Sequence, residues 1–380
     1  GIDLPALPFS ADVRLAGTPQ AFNVEALDLK VGKSEVRGDL QIELVEPRRV
    51  SGSLTSPYLN LNHFTETEEE PEETAPPAEP ARYVFGDIPI ASFTDIGVEL
   101  DLQLTIDALE VLNARYDKLE VGLLLRSDRL EVRPFRVFGK WGGIFSGDLV
   151  LDNSGTLPEL ELRLDAENMK VELGAKQGQD VATLPTGSLD VELHGNGRTR
   201  RDMASGLNGS IRVHMGPGQL APMGGTLFTS DFLTELLRTL NPFSETQEYT
   251  ELDCVVAAAD IVSGQAALKP LLVVTHQITI VSDGKVDLDT ERLDISFNTK
   301  QRKGLGISAT DLVNPFVKVG GTLASPSLEL DPAGTVIKGG IAVATAGLSI
   351  LAGSLADRYL SSKDPCGKAL KEIRERDGEG

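Results

Sequence analysis

The sequence is poor in the residue types that build metal centres and membrane-spanning barrels. Its 380 residues include two cysteines and four histidines. No histidine has a second histidine or a cysteine at ligand spacing, which argues against a transition-metal site. Aromatic residues make up 5%, with five tyrosines and one tryptophan. That is too few for the aromatic girdles of an outer-membrane barrel.

Basic residues are also scarce. The 36 Lys and Arg are outnumbered by 57 Asp and Glu, which gives a formal net charge of −21. This balance argues against a nucleic-acid partner, whose phosphates need a basic surface, and against charge-led adhesion to anionic headgroups. Seven glutamates and no base lie between Thr65 and Pro80. Because this proline-rich stretch has no apolar run, we predict a disordered linker over residues 65–82.

Catalytic motifs are missing as well. The sequence contains no nucleophile elbow, Walker loop, paired-histidine zinc motif or C-x-x-C pair. Its Asp and Glu residues occupy the polar positions of the alternating pattern, which is typical of solvent-facing strand surfaces rather than of acid/base pairs. We therefore predict a protein that is not an enzyme, with no catalytic residue, no metal and no cofactor.

What the sequence does contain is apolar/polar alternation with period two. Alternate side chains of a strand point to opposite faces, so each such segment has one apolar and one polar face. Short turn signals such as Asp283-Gly284 separate the segments and favour antiparallel meanders. The pattern predicts a mainly β protein of roughly twenty strands at the usual strand length. The alternating apolar positions include Leu100, Leu102, Leu104, Leu123, Leu125, Leu149, Leu151, Leu160, Leu162, Leu164, Leu189, Val191, Leu193, Ile278, Ile280, Ile295 and Phe297.

Helical signals are few. The spacing predicts one helix within residues 226–240, and the uncharged segment 339–356 suggests a buried or membrane-surface helix rather than a true span. The segment from Cys366 to Arg376 predicts a short amphipathic end. So few helices cannot cover some twenty one-sided strands. Either the sheet closes on itself as a sandwich or barrel, or it curves into a trough whose apolar floor receives a ligand.

An internal repeat supports a modular organisation. Val50–Leu61 and Val319–Leu330 both read V-x-G-x-L-x-S-P-x-L-x-L, which suggests stacked β modules. We predict an N-terminal β-repeat segment over residues 1–64, the linker over 65–82, a β region over 83–333 and a C-terminal helical segment over 334–380. Because Gly1 is not an initiator Met and no signal-peptide pattern follows, we expect a portion of a longer chain.

The two cysteines leave two alternatives open. In an oxidising compartment Cys254 and Cys366 could form a disulfide between a strand and the C-terminal segment. Otherwise they are two unrelated thiols.

An ordered set of stretches resembles the C-terminal region of the AsmA family of Gram-negative envelope proteins, most strongly from Gly187 to Asp331. Looser resemblance extends upstream, although the acidic insert is a departure from the family. The stretches that carry the resemblance are Gly187–Gly197, Leu207–Ile211, Gly216–Leu220, Leu240–Phe243, Tyr249–Cys254, Ile278–Asp289, Ile295–Lys300, Gly320–Leu328, Ala342–Leu348 and Asp364–Cys366.

The resemblance implies a fold similar to that of bridge-like, chorein-type lipid carriers. In those proteins a long curved antiparallel sheet of repeated β units forms an elongated hydrophobic groove, here with a few short helices near the C-terminus. The implied partner is a phospholipid or another acyl-chain lipid. The implied location is the periplasm, with an inner-membrane anchor through a helix upstream of this chain.

With this fold, the seventeen alternating residues given above are expected to line the groove, and the expected function is phospholipid transfer that supports outer-membrane lipid homeostasis. The alternative is a closed β domain that acts as a structural or assembly factor for outer-membrane or envelope proteins. In that case the same residues are ordinary core.

Overall fold

The computed structural model describes residues 7–62, 83–93, 96–111, 114–139, 141–171, 180–220, 249–302, 317–330 and 358–378. These residues are mainly β, as predicted. Their twenty strands belong to one open mixed sheet, accompanied by a few short helices.

The chain divides into two compact units. The first comprises Gly1–Pro80, Pro89–Met169 and Glu192–Thr199, and the second comprises Ala81–Ile88, Lys170–Val191 and Arg200–Gly380. The strands up to the end of the first long meander are β1 (Phe9–Gly17), β2 (Ala21–Val31), β3 (Ser34–Glu43), β4 (Arg48–Asn60), β5 (Val98–Ile106), β6 (Leu109–Val111), β7 (Ala114–Tyr116), β8 (Lys118–Arg126), β9 (Arg129–Phe138), β10 (Ile144–Asp152) and β11 (Glu159–Lys170).

The remaining elements lie further along the chain, and β12 has residues in both units. The strands are β12 (Thr186–Asn196), β13 (Asn208–Met215), β14 (Gly218–Leu220), β15 (Thr250–Val262), β16 (Gln265–Thr275), β17 (Ile278–Asp287), β18 (Arg292–Gln301), β19 (Val317–Gly321) and β20 (Pro326–Leu330), and the helical elements are a 3-10 turn (Val181–Thr183), α1 (Arg200–Ser205) and α2 (Pro365–Asp377).

In the first unit, hydrogen-bonded neighbours follow the order β1-β2-β3-β4-β5-β8-β9-β10-β11. Every neighbouring pair is antiparallel, as the sequence predicts, except that β4 runs parallel to β5 from Arg48 to Ser56. A parallel neighbour needs a connection of a dozen or more residues. The chain between Asn60 and Val98, which includes the acidic tract, supplies that length. The end of β4 also pairs in parallel with β6, at Leu59 and Asn60, so the mixed character of the described sheet lies along β4.

In the second unit, β13, β15, β16, β17, β18, β19 and β20 form a continuous antiparallel series. Helix α2 packs on this sheet. It begins where the carboxylate of Asp364 accepts the N–H of Gly367 at 2.9 Å, with Pro365 in the first turn. It ends at Gly378, whose φ of 82° suits a left-handed cap.

The two copies of the internal repeat adopt different structures. The first copy lies almost entirely in one strand, β4, and continues through Pro57. The second copy forms the β19–β20 hairpin, where Gly321 has a φ of +78°. The chain then turns because Thr322 and Ser325 exchange backbone hydrogen bonds, each at 3.1 Å. The second copy begins its turn at a Gly-Gly pair, which the first copy lacks.

Several predictions concern residues that the structure does not describe. They are the linker at 65–82, the helix within 226–240 and the uncharged segment 339–356. The predicted division at residues 64, 82 and 333 also stays a prediction.

Candidate functional site

One face of the first unit is apolar across nine neighbouring strands. Directly paired residues of neighbouring strands point to the same side of a sheet, so the register alone defines this face. We call it the long apolar face. Its middle row is Leu15, Val24, Leu40, Gly52, Leu102, Leu123, Val132, Leu149 and Leu162.

Two further rows flank the middle row on the same face. The first runs Phe22, Ile42, Val50, Leu100, Leu125, Leu130, Leu151 and Leu160. The second runs Leu27, Gly38, Leu54, Leu104, Val121, Phe135, Gly147 and Leu164. With strands about 4.8 Å apart, the middle row is about 38 Å long, and the three rows together are about 13 Å wide.

The long apolar face includes all the residues of β5, β8, β10 and β11 that the sequence selects as groove lining. Leu125 is buried at 3% exposure. The other nine are half-buried, a state between a packed core and a free surface. The face therefore keeps part of its apolar area accessible.

One end of this face is closed. There the short hairpin β6–β7 packs with the end of β4 against Ile106, Leu119 and Val137, whose exposures are 1%, 8% and 8%. The rings of Phe135 and Phe145 meet edge to face, with centroids 5.9 Å apart. The same strand, β5, thus passes from an open surface at Leu102 to a packed core at Ile106.

The opposite face of the same sheet is polar and carries cross-strand ion pairs. Arg49 on β4 donates to Glu99 on β5 at 2.8 Å. On β9, the buried carboxylate of Glu131 accepts from Arg129 at 2.7 Å and also from Arg133. The hydrogen bond from Arg129 is the largest of the effects that hold the pKa of Glu131 below its ordinary value. In this unit, therefore, only the long apolar face of the described sheet suits an apolar ligand.

Leu189, Val191 and Leu193 alternate along β12 and so share one face of that strand. Val191 is buried at 7% exposure, and the two leucines are half-buried.

The second unit has apolar side chains on both faces of its sheet. On one face, Val256, Leu272 and Val274 are at most 1% exposed beneath Ala369 and Ile373 of α2. We call this the helix-covered face.

A disulfide holds α2 in place on the helix-covered face. It joins Cys254 of β15 to Cys366 of α2, with the two Cα atoms 6.3 Å apart. Arg212 on β13 adds polar contacts, because it donates to Asp377 at 2.7 Å and to Asp260 at 2.6 Å.

The other face of the second unit holds the remaining predicted residues. Ile278, Ile280 and Phe297 are buried at 3%, 5% and 7% exposure, while Ile295 is half-buried. Val317 and Val319 of β19 complete this cluster. These residues form a tighter cluster than the long apolar face of the first unit.

The sequence interpretation missed part of the long apolar face. Leu130, Val132 and Phe135 of β9 lie in its three rows. Strict alternation fails in β9 because a bulge occurs at the cis peptide Arg133–Pro134, which shifts the inward positions from 130 and 132 to 135 and 137. The Pro within a hydrophobic segment was the available signal.

No protein-family model, no curated protein and no solved structure matches this chain. Among the described residues, no three His, Cys, Asp or Glu side chains gather as a set that could hold a metal ion. Within that same part of the chain, no helix is both long enough and apolar enough to cross a membrane.

Proposed function

We propose that this protein binds acyl-chain lipid, above all phospholipid, on the long apolar face of its first unit and transfers it without catalysis. The single observation that carries the proposal is the nine-strand row from Leu15 to Leu162, which lies opposite a charged face and is half-buried except at the exposed Leu15 and the buried Val24. A soluble protein that leaves so large an apolar surface accessible usually has a partner for it.

The dimensions and energies suit an acyl chain. Half of a bilayer's hydrocarbon core is about 15 Å thick, close to the width of the three rows. Each methylene removed from water contributes about 0.8 kcal/mol, so ten methylenes contribute about 8 kcal/mol. That corresponds to a dissociation constant of about 1 μM before the costs of ordering. Because leucine and valine make no directional contacts, binding depends on the acyl chain rather than the headgroup.

The cellular setting follows from the sequence resemblance to the AsmA family. By that resemblance the chain works in the periplasm, is held at the inner membrane by an upstream helix, and moves phospholipid in support of outer-membrane lipid homeostasis. The disulfide of the second unit is consistent with an oxidising compartment such as this one.

The experiment compares the purified chain with a variant that carries Leu102→Asp and Leu162→Asp. Native mass spectrometry should show phospholipid bound to the wild type. The variant should lose the lipid but keep its far-UV circular dichroism, because both positions border solvent. Gln103→Asp is the control for the single variant Leu102→Asp, since it adds the same one negative charge to the other face of β5 and should leave the bound lipid unchanged.

Two results would count against lipid transfer. A wild-type chain that purifies without lipid and binds none when offered phospholipid vesicles would refute it. Loss of structure in the Leu102→Asp, Leu162→Asp variant would indicate a closed core, as expected for the structural or assembly factor.

A further inference from the structure

A cavity of about 410 Å³ lies in the second unit, between helix α2 and strands β16 and β17. Small-molecule sites usually have volumes of about 300–1,000 Å³, so this space suits a small ligand. Pro270, Val281 and Tyr359 contribute apolar surface to its lining, which also includes six charged side chains. None of its lining residues belongs to the long apolar face.

An irregularity in strand pairing places two of the charged residues at this cavity. The pairing of β16 with β17 shifts register between Leu268 and Leu271. There Lys269 and Pro270 of β16 lie opposite Asp283 alone. Two residues opposite one form a β-bulge, a feature that re-aims side chains and is common beside functional sites. The bulge therefore brings Lys269 and Asp283, from neighbouring strands, to one cavity.

Most of the charges around the cavity already have partners. Glu372 accepts a hydrogen bond from the hydroxyl of Tyr359 at 2.6 Å and pairs with Arg358 at 3.5 Å. Arg376 and Glu375 form ion pairs with residues that do not line the cavity, at 3.5 and 3.7 Å. These four charges are therefore balanced without a ligand.

Lys269 and Asp283 are the two exceptions. Within the described part of the chain, neither side chain makes an ion pair. Burial raises the pKa of the half-buried Asp283, and the attraction of Lys269 does not outweigh this effect. A carboxylate that has lost water without gaining a partner is stabilised by a ligand that donates charged hydrogen bonds to it. The exposed ammonium of Lys269 offers an anion the same kind of contact.

We propose that this cavity binds a small zwitterion, whose primary ammonium contacts Asp283 and whose anionic group contacts Lys269. The opposite charges of the two residues select a ligand that carries both signs, and the limited volume selects one with a short chain between them. An aminoalkyl phosphate and a β-amino acid both satisfy these requirements. The same ammonium and phosphate occur in the headgroup of phosphatidylethanolamine, which is a second source of this chemistry.

Isothermal titration calorimetry of the 380-residue chain with O-phosphoethanolamine and with β-alanine tests the site. At least one of these zwitterions should bind. Ethylamine and inorganic phosphate each lack one of the two charged contacts, so each should bind at least about tenfold more weakly. Phosphatidylethanolamine vesicles that displace O-phosphoethanolamine identify a lipid headgroup as the source, and vesicles that do not displace it identify a free ligand. The zwitterion site holds in either case.

Two neutral substitutions locate the contacts. Asp283→Asn and Lys269→Gln each remove one charge with little change of shape, and each should weaken zwitterion binding at least about tenfold. Asp289→Asn and Lys285→Gln are the matched controls, because they remove the same charges from exposed positions that do not line the cavity. Both controls should bind like the wild type, and circular dichroism should show that all four variants are folded.

Three results would overturn the proposal. They are the absence of binding by both zwitterions at about 10 mM, binding of ethylamine or phosphate as tight as that of the zwitterions, and unchanged zwitterion binding by the folded Asp283→Asn and Lys269→Gln variants. Lipid binding on the long apolar face depends on other residues and can fail without affecting these results.

Discussion

Two residues on one strand should respond very differently to truncation. Leu102 and Ile106 lie on the same face of β5, four residues apart. Ile106 is 1% exposed under the β6–β7 hairpin, whereas Leu102 is half-buried on the open part of the face. Ile106→Ala should therefore leave a cavity, and Leu102→Ala should leave only a shallower surface.

The expected magnitudes differ by a factor of two or more. Truncating a fully packed isoleucine or leucine costs about 2–5 kcal/mol, of which the residual cavity is a large part. At Leu102 solvent or ligand can occupy the space, so only part of the transfer free energy of about 2 kcal/mol is lost. We expect the free energy of unfolding to fall by about 3 kcal/mol for Ile106→Ala and about 1 kcal/mol for Leu102→Ala.

Urea denaturation followed by native-state hydrogen exchange of β5 measures both values, and exchange isolates the first unit if the two units unfold separately. Equal losses near 3 kcal/mol would mean that Leu102 is packed as tightly as Ile106. The long apolar face would then be a closed core, and the argument for a ligand would fail.

Three further predictions concern the second unit. Glu291 is 1% exposed, and its carboxylate accepts hydrogen bonds from the backbone N–H groups of Val84 and Phe85 at 2.8 and 2.5 Å. Glu291→Ala should therefore lower the free energy of unfolding by about 3 kcal/mol, measured by thermal or urea denaturation. Asp289→Asn, at an exposed position, is the control and should change it little. Reduction with dithiothreitol, or Cys366→Ser, should raise hydrogen exchange in α2 and on the helix-covered face; unchanged exchange would show that the disulfide is dispensable there. Arg212 holds the pKa of Asp377 below its ordinary value. The stabilisation of α2 by this ion pair is therefore present above about pH 4 and declines as the pH falls toward the lowered pKa. Asp377→Asn should remove that pH dependence from the hydrogen exchange of α2.

Much of the fold follows from period-two alternation. Strands such as β5 and β11 each carry three leucines at alternate positions, and the structure places the three on one apolar face. Alternation could not reveal which strands are neighbours. The parallel pairing of β4 with β5 depends on a long connection whose path no local pattern encodes.

Similar motifs can also form different structures. The repeat at Val50 continues as one strand, while the repeat at Val319 turns into a hairpin. Only the second copy has the Gly-Gly pair at which Gly321 adopts a φ of +78° and the chain turns. In β9, the bulge at Arg133–Pro134 interrupts the period-two alternation, so the residues that follow it reach the apolar face one position later than strict alternation predicts.

The sequence predicts the part of the candidate site that depends on alternation within single strands. The ten leucines chosen on β5, β8, β10 and β11 share a face in the structure because the register aligns their periods. Their degree of burial was not predictable. It depends on whether another layer covers the sheet, as α2 covers one face of the second unit.

Photocrosslinking with a phospholipid that carries a diazirine near the end of one acyl chain tests the central claim most directly. Mass spectrometry of the crosslinked peptides locates the contact. The long apolar face predicts adducts at Leu102, Leu123, Leu149 and Leu162, and none at Asp101 or Glu161, which alternate with them on the charged face. Adducts confined to the charged face, or no adducts at saturating lipid, would contradict a lipid site on this sheet.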